Sequence, residues 1–135
     1  MKLENNWRQK TLENLEKDYW DNPSYDSHLV KRCYGIRKIP LDSFTTEDLR
    51  IMIGQQIGLD YLIPLALETL TIDLFAEGDF FEGDLLKNVL SIETQFWNNN
   101  KSYWLTLDNL IKDRRSEIEN KKIDVANFDK SIHKH

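Results

Sequence analysis

The chain has 135 residues, of which 40% are apolar and 30% charged, with five Gly and three Pro. That length and composition describe one folded domain with no room for a second core or a large cofactor module. Eighteen Lys plus Arg against 23 Asp plus Glu leave a net charge of -5, which argues against binding nucleic acid through its phosphates and for a basic partner. The single cysteine, Cys33, excludes an internal disulfide and a multi-cysteine zinc site.

The N-terminal residues MKLENNWRQK are charged and polar where a secretory signal needs an apolar run, so cytoplasmic residence is expected. Leu12, Leu15 and Tyr19 recur at helical spacing and predict a first helix ending near Trp20, before the Asp21, Asn22 and Pro23 breaker. A second helix starts between Ser24 and Ser27, with Leu29, Cys33 and Ile36 on its inward face, and Pro40 closes it. Thr45 and Asp48 resemble a capping box opening a third helix whose stripe is Leu49, Met52, Ile53 and Ile57, with Gly58 as its stop. From Tyr61 to Leu70 seven of ten side chains are apolar besides Pro64, which predicts a helix in the middle of the core. This stretch is too short to cross a bilayer, and Pro64 belongs near the helix's first turn.

Ile72 to Asp84 is read as an ordered loop interrupted by Gly78 and Gly83. Leu85, Leu86, Val89, Leu90, Ile92, Phe96 and Trp97 share one arc and predict a fifth helix, broken at Asn98 to Asn100. Tyr103, Leu107, Leu110, Ile111 and Ile118 line a last helix. Residues 121–135 are polar and are expected to fray. No stretch alternates as a strand should, so the expected fold is all-α: one domain over residues 1–120 of about six helices, as a bundle or as stacked hairpins.

No catalytic constellation stands out. Cys33 lies on an apolar helix face, His28 is the one histidine outside the tail that holds His133 and His135, and one histidine makes no metal cluster. Asp73, Glu77, Gly78 and Asp84 match four positions of a calcium loop, but Phe75 stands where an oxygen ligand is required. Lys31, Arg32, Arg37 and Lys38 read as a solvated helix face. The sequence therefore calls for no cofactor, no metal and no small-molecule substrate.

The informative window runs from Ile72 to Leu86. It holds five acids, Asp73, Glu77, Asp79, Glu82 and Asp84, and no Lys or Arg, while the rest of the chain is balanced at 18 acids and 18 bases. Phe75, Phe80 and Phe81 are interleaved with these carboxylates. Aromatic anchors beside charges that steer a cationic surface are what a protein-binding loop needs. The partner-binding candidates are thus Asp73, Glu77, Asp79, Phe80, Phe81, Glu82 and Asp84. Core plugging by Phe75 and Phe80, and helix capping by Asp84, compete with that reading residue by residue.

The run LRIMIGQQIGLDYLIPLALETL followed by AEGDFFEGDLL, with HLVKRC before it and Phe96–Trp97 after it, resembles the immunity proteins of contact-dependent growth inhibition systems. The resemblance implies a small cytoplasmic helical protein, not an enzyme, that binds and blocks a toxin domain delivered by a neighbouring bacterium. Such toxins are often nucleases, which tend to be basic. Gly58 and Pro64 match as helix punctuation, not as contacts. A general helical adaptor for basic proteins is the other reading that the acidic window allows, and sharp discrimination between partners would separate the two.

Overall fold

The computed structural model describes residues 6–20 and 27–131, and its architecture is all-α. After a 3-10 turn at Trp7–Gln9 come α1 (Leu12–Glu16), α2 (His28–Ile36), a second 3-10 turn (Leu41–Ser43), α3 (Thr46–Gly54) and α4 (Leu59–Ile72). Then follow α5 (Asp84–Leu90), α6 (Thr94–Asn99), α7 (Lys101–Ile111), α8 (Arg115–Asn120) and α9 (Ala126–Lys130).

Side-chain caps open the first three helices. Thr11 accepts from the Asn14 amide at 3.1 Å to open α1, and Ser27 accepts from the Val30 amide at 3.3 Å to open α2. The capping box is present: the Asp48 amide donates to Thr45 Oγ1 at 3.1 Å and the Thr45 amide donates to Asp48 Oδ2 at 3.0 Å. α3 ends at Gly54, earlier than the expected stop at Gly58, which instead stands at the N-cap of α4 with φ +67. Pro64 lies in the second turn of α4, just past the expected first turn, because the helix starts at Leu59, two residues before Tyr61. Having no N–H, it cannot make the helical bond to the Asp60 carbonyl.

α4 is the axis of the core and packs against α3, α5 and α7. Leu62, Ile63, Ala66 and Leu70 on it are fully buried. α3 and α5 lie close enough that a Cβ on Gly54 would meet Asn88 Nδ2 at 2.7 Å, and Asn88 donates to the Arg50 carbonyl at 2.8 Å. Among the described residues the β structure is one isolated antiparallel bridge between Glu77 and Glu82.

Among the described residues the six expected helices become nine, for three reasons. The fifth breaks at Ser91–Glu93 into α5 and α6, although its apolar spacing runs through the turn unbroken, because the turn redirects α6 onto α7 and α9. The sixth breaks after Ile111 into α7 and α8. Residues 121–131, expected to fray, carry α9, which is held by Phe128. That ring stacks on Trp104 at 5.0 Å and meets Trp97 edge-on at 5.3 Å, and its own carbonyl accepts from Trp104 Nε1 at 3.0 Å. His133 and His135 lie outside the described residues, as does the breaker at Asp21 to Pro23.

Three further expectations change. α1 ends at Glu16, where Lys17 turns left-handed with φ 53, and Tyr19 beyond it is exposed. Leu29 faces solvent while Cys33 and Ile36 are buried. Arg37, placed in sequence on a solvated face, is buried. Its guanidinium bonds the Glu16 carboxylate and the Asp18 carbonyl and lies 4.2 Å from the centre of the Trp20 ring, so that it staples the residues after α1 to the end of α2.

Candidate partner-binding site

The acidic loop leaves the C-terminus of α4 at Asp73 and re-enters helix at Asp84. Its two halves do different jobs. Phe75 is buried, with Ile123 beside it across Gly83 and the cations of Arg114 and Lys121 at 5.2 and 4.9 Å from its ring centre. Phe80 and Phe81 point outward, 70% and 41% exposed. Phe75 is thus the core plug, and Phe80 is not one.

Asp84 is buried and belongs to the scaffold. Gly83, with φ +94, takes the N-cap of α5, and the Asp84 carboxylate reaches back into the loop. Its Oδ1 accepts from the Gly78 amide at 2.7 Å and its Oδ2 from the amides of Phe80 at 3.0 Å and Phe81 at 3.2 Å. Both oxygens are therefore engaged with the loop backbone. Asp73 is similarly occupied, accepting from the Phe75 amide at 3.2 Å.

Two residues outside the sequence candidates complete the frame. Glu47, buried in the first turn of α3, accepts from the Asp79 amide at 2.7 Å and from Arg50 Nε at 2.7 Å on the same oxygen, and from Arg50 Nη2 on the other. The Arg50 guanidinium lies 3.8 Å from Asp84 Oδ2 and 4.1 Å from the centre of the Phe80 ring. Its hydrogen bonds hold the Glu47 carboxyl below the usual glutamate range, against the opposing effect of burial, with the Asp79 amide adding to the lowering. A Cβ at Gly78 would come within 2.5 Å of Glu47 Oε1, so a side chain there would have to displace the carboxylate that holds the loop. The i, i+3 spacing of Glu47 and Arg50 signals an ion pair. Nothing in that spacing signals a loop more than 25 residues away.

The charge of the window is partly offset in three dimensions. Lys121 pairs with Glu82 at 2.7 Å, Arg50 faces Asp84, and Arg114 is close enough to Asp73 to feel its charge. Among the described residues the carboxylates of Glu77 and Asp79 make no ion pair, and both residues are exposed. The outward surface is therefore Glu77, Asp79, Phe80, Phe81 and the outer side of Glu82.

A family model described as CDI immunity proteins matches residues 14–107. The chain belongs to that family. The match takes in α2 through most of α7 and so includes the whole acidic loop with its Glu47–Arg50 support, while α8, α9 and the residues between them, with Lys121 and Phe128, lie beyond it. No curated protein and no solved structure matches the chain significantly.

The remaining chemistry of this immunity-family chain is sparse. Cys33 is buried, and that burial raises its thiol pKa, the reverse of what a nucleophile requires. His28 is exposed at the start of α2. A groove of about 610 Å³ lies at the far end of α4, where Asp60, Glu93, Gln95 and Asn99 surround Leu59 and Phe96. No helix among the described residues is long and apolar enough to cross a membrane.

Proposed function

We propose that this protein is a stoichiometric, non-catalytic inhibitor that binds the toxin domain of a contact-dependent growth inhibition system in the cytoplasm of the cell it protects. The toxin is a basic domain, most simply a nuclease, and it docks on the outer side of the 77–82 loop. The observation that carries this reading is the exposure of two adjacent phenylalanines beside the exposed carboxylates of Glu77 and Asp79, which make no ion pair among the described residues. Exposed aromatics cost solvation in a free protein and supply binding energy when a partner covers them. The unpaired acids add attraction to a cationic surface and accelerate the encounter. Membership of the immunity family supports a toxin as that partner, and the acidity of the surface supports a basic one.

The test uses the cognate toxin domain. Wild type and the Glu77→Lys, Asp79→Lys double variant are compared by surface plasmon resonance across salt concentrations. The expected result is association slowed by about tenfold or more at low salt in the variant, with the gap closing as salt screens it. An unchanged association rate at low salt would remove the loop as the docking surface. Equal, weak binding of unrelated basic proteins would remove toxin specificity and leave an adaptor.

A further inference from the structure

We infer that Arg50, with Glu47 holding it, is a positioning residue for partner binding: it fixes Phe80 as the preformed anchor of the docking loop without itself touching the partner. This inference rests on the docking role proposed above and adds how the loop keeps its shape.

The physical problem is that a phenylalanine on a glycine-flanked loop would, in water, fold back onto any apolar surface within reach. Phe80 does not, for three reasons that act together. Its amide and that of Phe81 are committed to Asp84 Oδ2, and the Gly78 amide to Oδ1, so the backbone that carries the ring is pinned at three points. The Asp79 amide is pinned from the other side by Glu47. The ring itself then lies against the Arg50 guanidinium, 4.1 Å from its carbon to the ring centre, and remains 70% exposed. One face of the ring is held by a cation and the rest is offered to solvent.

Arg50 is suited to this because its groups are shared out. Its Nε and Nη2 are bound by Glu47, which fixes the plane of the guanidinium, and a fixed plane is what a stacked ring requires. Arg50 is also only 13% exposed, so a partner meets the phenylalanine and not the arginine. An anchor already held in its bound position loses little conformational freedom on binding, which favours long residence. Lysine at position 50 would keep the charge and neutralise Glu47, but it lacks the flat, forked group that sets the ring.

The test is a binding cycle of Arg50→Lys and Phe80→Ala, singly and together, against the same toxin domain, with thermal melting of each variant run in parallel to confirm folding. Net charge is unchanged by R50K, so electrostatic steering is preserved and the readout isolates placement. Expected are about 30-fold weaker binding for F80A, as for an anchor residue, and about fivefold for R50K, as for loss of an oriented cation–π contact. In the F80A background R50K should cost less than about twofold, because Arg50 acts through the ring. An R50K effect of the same size in both backgrounds, or none in either, overturns the inference. If F80A binds as wild type while the Glu77→Lys, Asp79→Lys variant associates slowly, the loop remains the docking surface and the anchor assignment falls. If wild type itself fails to bind the toxin domain at low salt, the proposed function falls and the inference with it.

Discussion

The acidic loop and the C-terminal segment from 112 to 131 both lack sustained apolar periodicity, yet opposite means hold them in place. In the loop the ordering contacts are polar: four consecutive amides, Gly78 to Phe81, donate to two buried carboxylates, Asp84 and Glu47. In the C-terminal segment the ordering contact is aromatic, because Phe128 inserts between Trp97 and Trp104 and brings the short α9 with it. A polar clasp leaves side chains free to face outward, whereas an aromatic plug consumes its side chain in the core. That difference explains why the loop can present Phe80 and Phe81 and the tail presents no comparable ring.

Three substitutions or conditions separate the two kinds of order, and they fall in sequence of size. The largest effect is expected from Phe128→Ala, which removes a fully buried ring and should cost about 3–5 kcal/mol of unfolding free energy, read by urea denaturation. Breaking the exposed ion pair between Arg115 and Asp129 with Asp129→Ala should by comparison cost less than about 1 kcal/mol, and a loss as large as that of Phe128→Ala would make the ion pair the anchor of α9. Next comes Asp84→Ala, which strips three backbone amides of their acceptor and should cost about 2–3 kcal/mol. Hydrogen exchange should then quicken at Gly78, Phe80 and Phe81 while the amides of α9 stay protected. Equal loosening of both regions would mean that they are one cooperative unit.

The smallest effect is a pH dependence. The folded-state pKa of Glu47 is lowered, chiefly by its hydrogen bonds to Arg50, so the stability it contributes is fully present above the unfolded glutamate value of about 4.3 and is lost as pH falls through the lower folded value. Melting curves of wild type and Glu47→Gln should accordingly differ at neutral pH and converge as the pH drops below about 4. A constant gap down to acid would place the contribution of Glu47 in packing and not in its charge.

Much of this was legible in the residues. The capping box at Thr45 and Asp48, the buried helix around Leu62 to Leu70 and the loop after Ile72 are written in local spacing, and the family is legible as a resemblance of the run from Leu49 to Leu86. Within the loop, sequence composition identified the window, and the structure divided it: Glu77, Asp79, Phe80, Phe81 and Glu82 lie outward, Asp73 is tied to the start of the loop, and Asp84 belongs to the frame. Burial of Arg37 and the breaks at Ser91–Glu93 and after Ile111 were not legible, because charge and periodicity are local properties while these outcomes depend on what packs alongside.

By itself, then, the sequence determined the helical class, the absence of a disulfide framework, the position of the acidic loop and the likeness to immunity proteins, since each follows from residue type and spacing along the chain. Tertiary structure alone decided which acids face out, that α3 supplies the loop's support through Glu47 and Arg50, and that the tail is anchored by Phe128. The physical reason is the same throughout: a carboxylate or an aromatic ring acquires its role from the partner that reaches it, and here those partners come from helices distant in sequence.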